Sequence, residues 1–251
     1  MSWASKRRLL YILGIIIFLI IFVVVPLVYY FYKAPTCSDG KQNQDEVGVD
    51  CGGVCTLLCP SQYVPLVVNW SQFSKVSDGV YNVLAYVENY NINAEANNLS
   101  YVFKLYDKQG VLLKERFGKT FVPPNKIMAV FEPELLTGNQ VPARVEFSLT
   151  SDALWLKQES NQTGLGISQS VLSKTDSAPR LSALLSNKSV NQIKNIEAVA
   201  IIYNVEDNTI AFSRTIVDVL NSKDSVTINF NWPKPFIDAY ARTEIILKVL
   251  K

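Results

Sequence analysis

The sequence predicts an all-β exported protein: two tandem antiparallel β-sandwiches behind one N-terminal transmembrane helix and a small disulfide-rich neck. Three observations carry this. Leu9 to Tyr32 is an almost unbroken apolar run, the four cysteines fall in one short window just after it, and the rest of the chain alternates apolar and polar residues in short runs broken by turn formers. The divisions that follow are 1–8 as a cytoplasmic tail, 9–32 as the membrane helix, 34–60 as the neck, 63–152 and 167–251 as the two sandwiches, and 153–166 as a linker.

A bilayer core about 30 Å thick needs about 20 apolar residues in helical form, since each advances the helix by about 1.5 Å. Leu9 to Val28 meets that need without a charge, and its one helix breaker, Pro26, falls in the last turns. Tyr29, Tyr30, Phe31 and Tyr32 suit the headgroup level at one end, as do Trp3 and Tyr11 at the other. Lys6, Arg7 and Arg8 form a basic cluster with no acid nearby, and the positive-inside bias keeps such a cluster cytoplasmic. No small-x-small cleavage site follows the run, and Ala34-Pro35-Thr36 is a poor lipoprotein processing signal before Cys37. The expectation is an uncleaved signal anchor in the plasma (inner) membrane, N-terminus inside and C-terminal domains outside. A cleaved signal peptide is the alternative.

The formal charge of +2 belongs mostly to the anchor: Lys6, Arg7, Arg8 and Lys33 supply +4, which leaves the exported part at −2. That is no electrostatic footprint for nucleic acid. The chain contains no histidine, which removes the usual general base and the imidazole-dependent triads and most catalytic zinc or copper sites. Acidic residues are scattered without forming a glycosidase-like pair, and Gly164-Leu165-Gly166 lacks the spacing of a phosphate loop. No enzyme is expected.

Cys37, Cys51, Cys55 and Cys59 lie in a Gly- and Asp-rich segment too small to bury a core. Outside the cytosol an even count in such a segment reads as two disulfides, with three pairings open. Four thiolates could also hold zinc, but the paired Cys-x-x-Cys rhythm is missing. Asp39, Asn43, Asp45, Glu46 and Asp50 crowd hard oxygen ligands into a dozen residues, so calcium is a candidate cofactor, against ordinary turn formation by the same residue types. The stretch Pro35 to Pro60, with Cys37-Ser-Asp-Gly, Asp50-Cys51-Gly-Gly-Val-Cys55 and Cys59, resembles a Cys-Asp-Gly-Asn-Glu-Asp-Cys-Gly-Gly-Cys-Cys module of exported bacterial proteins. That module follows an N-terminal membrane helix in envelope proteins of candidate-phyla bacteria; the resemblance implies location and no activity.

Strands are expected at Val64 to Asn69, Val80 to Tyr90, Ser100 to Tyr106, Val111 to Phe117, Ile127 to Glu132 and Ala143 to Thr150. In the second of these, Tyr81, Val83, Ala85 and Val87 share one face. Between them lie Ser77-Asp78-Gly79, Asp107-Lys108-Gln109-Gly110, Pro123-Pro124-Asn125 and Thr137-Gly138-Asn139, all turn chemistry. The second half answers the first at a shift of about 97 residues: Val87-Glu88-Asn89-Tyr90-Asn91 with Leu185-Ser186-Asn187-Lys188-Ser189, Phe103-Lys104-Leu105-Tyr106-Asp107 with Ala200-Ile201-Ile202-Tyr203-Asn204, and Phe131-Glu132-Pro133 with Phe230-Asn231-Trp232-Pro233. Phe103-Lys-Leu-Tyr-Asp107 with Gly110, then Pro123-Pro124 before a strand ending in Phe131, resembles the FxLYD family of exported domains, related to the late-embryogenesis-abundant β fold. The likeness is good over Pro65 to Thr150 and weaker over Ser168 to Leu250, where Asn204 replaces the Asp and no Gly follows. It implies that each sandwich is a small immunoglobulin-like one, an extracytoplasmic structural or binding module without catalytic residues.

Asn69-Trp-Ser71, Asn98-Leu-Ser100, Asn161-Gln-Thr163 and Asn187-Lys-Ser189 fit the glycosylation acceptor pattern. Trp232-Pro233-Lys234-Pro235-Phe236 is expected in a loop at one rim, where Trp232 and Phe236 form either a partner-binding tip, with Trp155 and Tyr240 nearby, or a plug that closes the sandwich. The functional expectation is a membrane-anchored interaction protein that presents two sandwich modules to an envelope protein or polymer. The alternative is an accessory subunit of an envelope secretion, pilus or cell-wall assembly complex.

Overall fold

The computed structural model describes residues 3–31, 36–158 and 164–250. Tyr32, Lys33, Ala34 and Pro35 of the expected membrane boundary, and Asn161 with its acceptor triplet, lie outside these residues. The chain divides into two compact units, residues 1–55 and 56–251.

In the first unit, Trp3–Phe31 is one continuous helix, apolar and long enough to cross a bilayer, with no residue buried inside the protein. It is α-helical over Trp3–Leu19 and Val25–Phe31, with a π-helical turn at Ile20–Val24 in which Val25 N–H bonds Ile20 O. The wide turn stands just before Pro26, whose ring has no N–H and would collide with the carbonyl four residues earlier; widening the helix there relieves the clash. Cys37 is bonded to Cys55, and Cys51 and Cys59 are disulfide-bonded as well, so two disulfides lie near residues 37–59 and no cysteine is free. Of the three pairings the sequence allows, the Cys37–Cys55 bridge selects one.

The second unit is built from antiparallel sheets. Its first sandwich uses β1 (Val67–Ser77), β2 (Val80–Asn89), β3 (Ala94–Tyr106), β4 (Leu112–Val122), β5 (Lys126–Leu136), β6 (Arg144–Leu149) and β7 (Trp155–Lys157). One sheet has the order β1-β2-β5. In the other, β4-β3-β6, the short β7 extends the β6 edge by pairing with Ala94 to Ala96 of β3. The second sandwich uses β8 (Leu165–Ser173), β9 (Arg180–Asn187), β10 (Ile193–Asn204), β11 (Thr209–Leu220), β12 (Ser225–Asn231) and β13 (Tyr240–Val249), in sheets β8-β9-β12 and β11-β10-β13. Strand for strand, the two orders are the same.

Period-2 alternation sets each interior. Tyr81, Val83, Ala85 and Val87 of β2, with Met128 and Val130 beside them on β5, pack with Phe103 and Leu105 in the first core; Leu181, Ala183 and Leu185 of β9, with Ile228 and Phe230 beside them on β12, pack with Ile196 and Ala198 in the second. Two glycines are fixed by close approach. Gly79 turns the chain from β1 to β2 at φ +71°, and a Cβ there would stand 2.2 Å from Gly138 O; at Gly118 the Tyr101 ring occupies the place of a side chain.

A third apolar cluster joins the sandwiches. Leu84, Ala129 and Phe131 on the outer face of β1-β2-β5 pack with Val199, Ile201, Tyr203, Phe212 and Ile246 on the outer face of β11-β10-β13, with Trp70 and Tyr86 beside them. Residues 56–251 are therefore four sheets deep with three buried layers between them. Strands that are buried on both faces lose their alternation, which explains the unbroken Ala198-Val-Ala-Ile-Ile-Tyr203 run of β10.

Several strand bounds differ from expectation. β1 begins at Val67 and runs through the polar Ser71–Lys75, because nine paired positions along β2 satisfy its backbone whatever the side-chain propensity. β3 starts at Ala94 and crosses a bulge at Asn98, whose φ of +54° stands within a register break between Ala96 and Leu99.

Candidate functional site

In the neck the acidic residues turn inward on the backbone. Asp50 accepts hydrogen bonds from the N–H groups of Asp39 and Gly40, at 2.9 Å each. Glu46 Oε2 accepts from Asn43 and Asp50 N–H, and Asp39 from Lys41 N–H and the Asn43 amide. The Asn43 amide, above all, holds the Asp39 carboxyl below the usual range. These bonds make the segment a set of Asx-type turns. Three of the five candidate calcium ligands, Asp39, Glu46 and Asp50, thus spend oxygen capacity on N–H donors, and Asn43 Oδ1 is buried without a hydrogen-bond partner. The one group of three or more ligand-type side chains whose atoms converge, among the described residues, is Cys37, Glu46 and Cys55. Glu46 Oε1 lies 3.2 Å from Cys55 Sγ, but a disulfide sulfur has no proton to donate, so this is a packing contact. With every sulfur oxidised, no thiolate remains for zinc.

The rim residues are placed differently from the tip expectation. Trp232 is buried in the second core, donates its indole N–H to Phe212 O at 3.2 Å, and meets Phe236 edge-on at 5.4 Å between ring centroids. It closes the end of the sandwich and presents no indole face to a partner. Trp155 is not its neighbour: it lies in the first core, stacked on Tyr63 at 5.2 Å. Tyr240 opens β13 and is exposed.

Asn187 is 1% exposed and cannot accept a glycan. Its amide donates to Asn191, Leu220 and Asn221 carbonyls, while its Oδ1 accepts from Ser189 N–H. Asn89 does the same in the first sandwich, donating to Ala94 and Pro123 carbonyls and accepting from Asn91 N–H. A second shared device is the turn after β3 and β10. Asp107 Oδ1 accepts from Gln109 and Val111 N–H, and Asn204 Oδ1 from Glu206 and Asn208 N–H. Asn for Asp keeps the acceptor, and Asp207 at φ +63° takes the left-handed place that Gly110 holds at φ +80°. A third is the Arg-over-Tyr pair, Arg144 on Tyr106 and Arg242 on Tyr203. The Phe131–Phe230 match does not hold in space. Phe131 stands opposite Leu84 and faces outward, whereas Phe230 stands opposite Leu181 and faces the core; one residue of slip reverses a side chain.

The sequence reading missed the polar residues that flank the seam between the sandwiches. At one end, Glu244 accepts the hydroxyls of Tyr86, from the first sandwich, and Tyr203, from the second, at 3.1 and 2.9 Å. Burial, reinforced by Glu244, pushes the Tyr86 phenol up to about 12 and raises Tyr203 as well. Arg242 reaches both Glu244 and Asp207, which it holds below the usual carboxylate range. At the other end, Glu197 is buried between Arg214 at 3.3 Å and Lys248 at 2.8 Å, and Lys248 also reaches Thr120 of the first sandwich at 3.4 Å. A cavity of about 730 Å³ opens beside these residues and is also lined by Tyr101, Glu132 and Lys119. Burial, with Glu132 accepting its hydroxyl at 2.8 Å, raises the Tyr101 phenol. A second cavity, of about 740 Å³, lies at the Tyr63–Trp155 end of the first sandwich. The seam's sequence signal was the unalternating run of β10. The charges themselves carried none, since a strand Glu or Lys ordinarily means a solvated face.

No protein-family model and no curated protein matches the chain. Among solved structures it is similar to a red sea bream transglutaminase at 12% identity and a TM-score of 0.23, over 74% of this chain and 30% of that one. It is also similar to a β-glucuronidase of glycoside hydrolase family 2, at 12% identity and a TM-score of 0.25, over 87% of this chain and 28% of that one. The chain spans under a third of either protein, and a likeness at this level says nothing of activity.

Proposed function

We propose that this chain is a single-pass structural and interaction protein. Its N-terminus stays in the cytoplasm, and two copies of an immunoglobulin-like module stand outside the plasma membrane to engage an envelope protein or polymer. The observation that carries the reading is the Trp3–Phe31 helix, apolar throughout its middle and unburied by the protein, on a chain whose cysteines are all oxidised. The basic Lys6-Arg7-Arg8 flank supports the orientation. The shared strand order and the paired Asn89/Asn187 and Asp107/Asn204 devices support a duplicated module. Outer edge strands such as β4 and β8, each paired on one side, offer backbone groups for strand addition.

Two measurements on intact cells test this. A membrane-impermeant maleimide should label the chain only after reduction; labelling that needs cell lysis would invert the topology. Crosslinking should then capture the same envelope component reproducibly, and capture of nothing refutes the interaction role.

A further inference from the structure

In the neck a carboxylate is covered while three valines are left in the open. Glu46 is only 8% exposed, while Val47, Val49 and Val54 are 53%, 56% and 59% exposed. A segment surrounded by water favours the opposite arrangement, with carboxylates outside and β-branched side chains covered. Glu46, Asp39 and Asp50 are drawn inward by backbone N–H donors, which leaves the outer surface less charged than the composition suggests.

Where this segment can be is limited by the chain. Cys37 follows Phe31, the last described helical residue, by six residues. Fully extended, six residues span about 20 Å. The disulfide brings the Cys55 Cα within 5.7 Å of the Cys37 Cα, so Val54 returns to the start of the segment. Val47 and Gly48 N–H both bond Cys51 O, and Cys55 N–H bonds Gly52 O, which ties Val47 and Val49 into the same small knot. Tyr29, Tyr30 and Phe31 mark the headgroup level at the end of the helix.

We infer that Val47, Val49 and Val54 form a lipid-contacting surface, by which the stapled neck rests its apolar side in the headgroup–acyl boundary of the outer leaflet. This deepens the membrane-anchor reading and depends on it. The segment carries Asp39, Asp45, Glu46 and Asp50 against Lys41 alone, so the contact is apolar and owes nothing to attraction for anionic headgroups.

The test is photocrosslinking of the full chain in its own membrane, with p-benzoylphenylalanine placed singly at Val47, Val49 or Val54. Phe22 inside the helix and the fully exposed Ile237 of the second sandwich serve as references. The expected result is lipid adducts, read by mass, at Phe22 and at the neck valines and none at Ile237. Adducts at Phe22 with none at the valines would overturn the inference and leave the anchor standing. Protein adducts at the valines would overturn it in favour of a partner, a second copy or the chain's own sandwiches. No lipid adduct at Phe22 would remove the anchor and the inference together.

Discussion

Phe131→Ala separates docking of the two sandwiches from folding of either one. Phe131 is buried, but its ring points away from the first core into the seam, edge-on to Phe212 at 6.0 Å and under the Arg214 guanidinium at 4.9 Å. Truncating a buried Phe costs about 3–5 kcal/mol through lost transfer and the cavity left behind. The aromatic and cation–π geometry lies within that range, at about 1 kcal/mol each. A loss near 4 kcal/mol is comparable to the whole stability of a marginal domain, so it is enough to uncouple the halves. The assay is urea unfolding of the full chain in detergent micelles, with hydrogen exchange read on peptides from β2 and β10. Before substitution both strands should open together; in Phe131→Ala they should open separately, in two transitions. The control is Val130→Ala on the same strand, whose side chain faces the first core; it should lower the transition without splitting it. If Phe131→Ala costs under about 1 kcal/mol and keeps one transition, the seam is not what makes residues 56–251 one unit, and the reasoning fails.

Three further outcomes follow from single devices. Asn187→Asp aims a carboxylate at the Asn191, Leu220 and Asn221 carbonyls and should cost about 3 kcal/mol or more, with Asn187→Ala somewhat milder; thermal melts check both. Cys37→Ser with Cys55→Ser opens a loop whose ends are 18 residues apart, worth about 3 kcal/mol of chain entropy, and should leave the neck open to limited proteolysis while the sandwiches stay resistant. Tyr86 has its phenol raised from 10.0 to about 12, so the unfolded chain ionises first: its contribution is intact below pH 10 and is lost between pH 10 and 12. Alkaline unfolding should begin in that window, and Tyr86→Phe should make the loss less steep without abolishing it, because Tyr203 and Tyr101 are raised as well.

Features that depend on short-range chemistry were legible in the sequence. The helix follows from an uninterrupted apolar run, and the inward face of β2 from strict alternation of Tyr81, Val83, Ala85 and Val87. The turn after β10 was harder, because Asn204 and Asp207 depart from the Asp-and-Gly pattern; the structure keeps the acceptor oxygen and the left-handed backbone by other residues. Features that depend on what a face meets were hidden. Trp232 among prolines suited either a partner-binding tip or a plug, and it is the packing that puts its indole in a core with its N–H on the Phe212 carbonyl. Glu197 and Lys248 read as surface charges, and only the stacking of the sandwiches buries them against each other.

The seam also explains how a shared strand order comes to have different surfaces. Lys104 of β3 ion-pairs with Glu115 on a solvated face, whereas Ile201 and Phe212, the cross-strand pair at the same place in β10 and β11, are buried in the seam. The Arg144–Glu146 pair of β6 has its counterpart in Arg242 and Glu244 of β13, but Glu244 is turned to a new use, accepting Tyr86 from the other sandwich. On β9 the outward Ser182 shares Asn229 with Arg180, and on β2 the outward Leu84 meets Phe131. In each case the inward residues keep one apolar character while the outward ones diverge, as expected if the interior sets the module and the outer face sets its neighbour. The two outer faces that meet in the seam are the two that are apolar. The Lys104–Glu115 and Ser182–Asn229 pairs keep the corresponding outer faces of the other two sheets polar, which is why those faces are not drawn into an apolar layer.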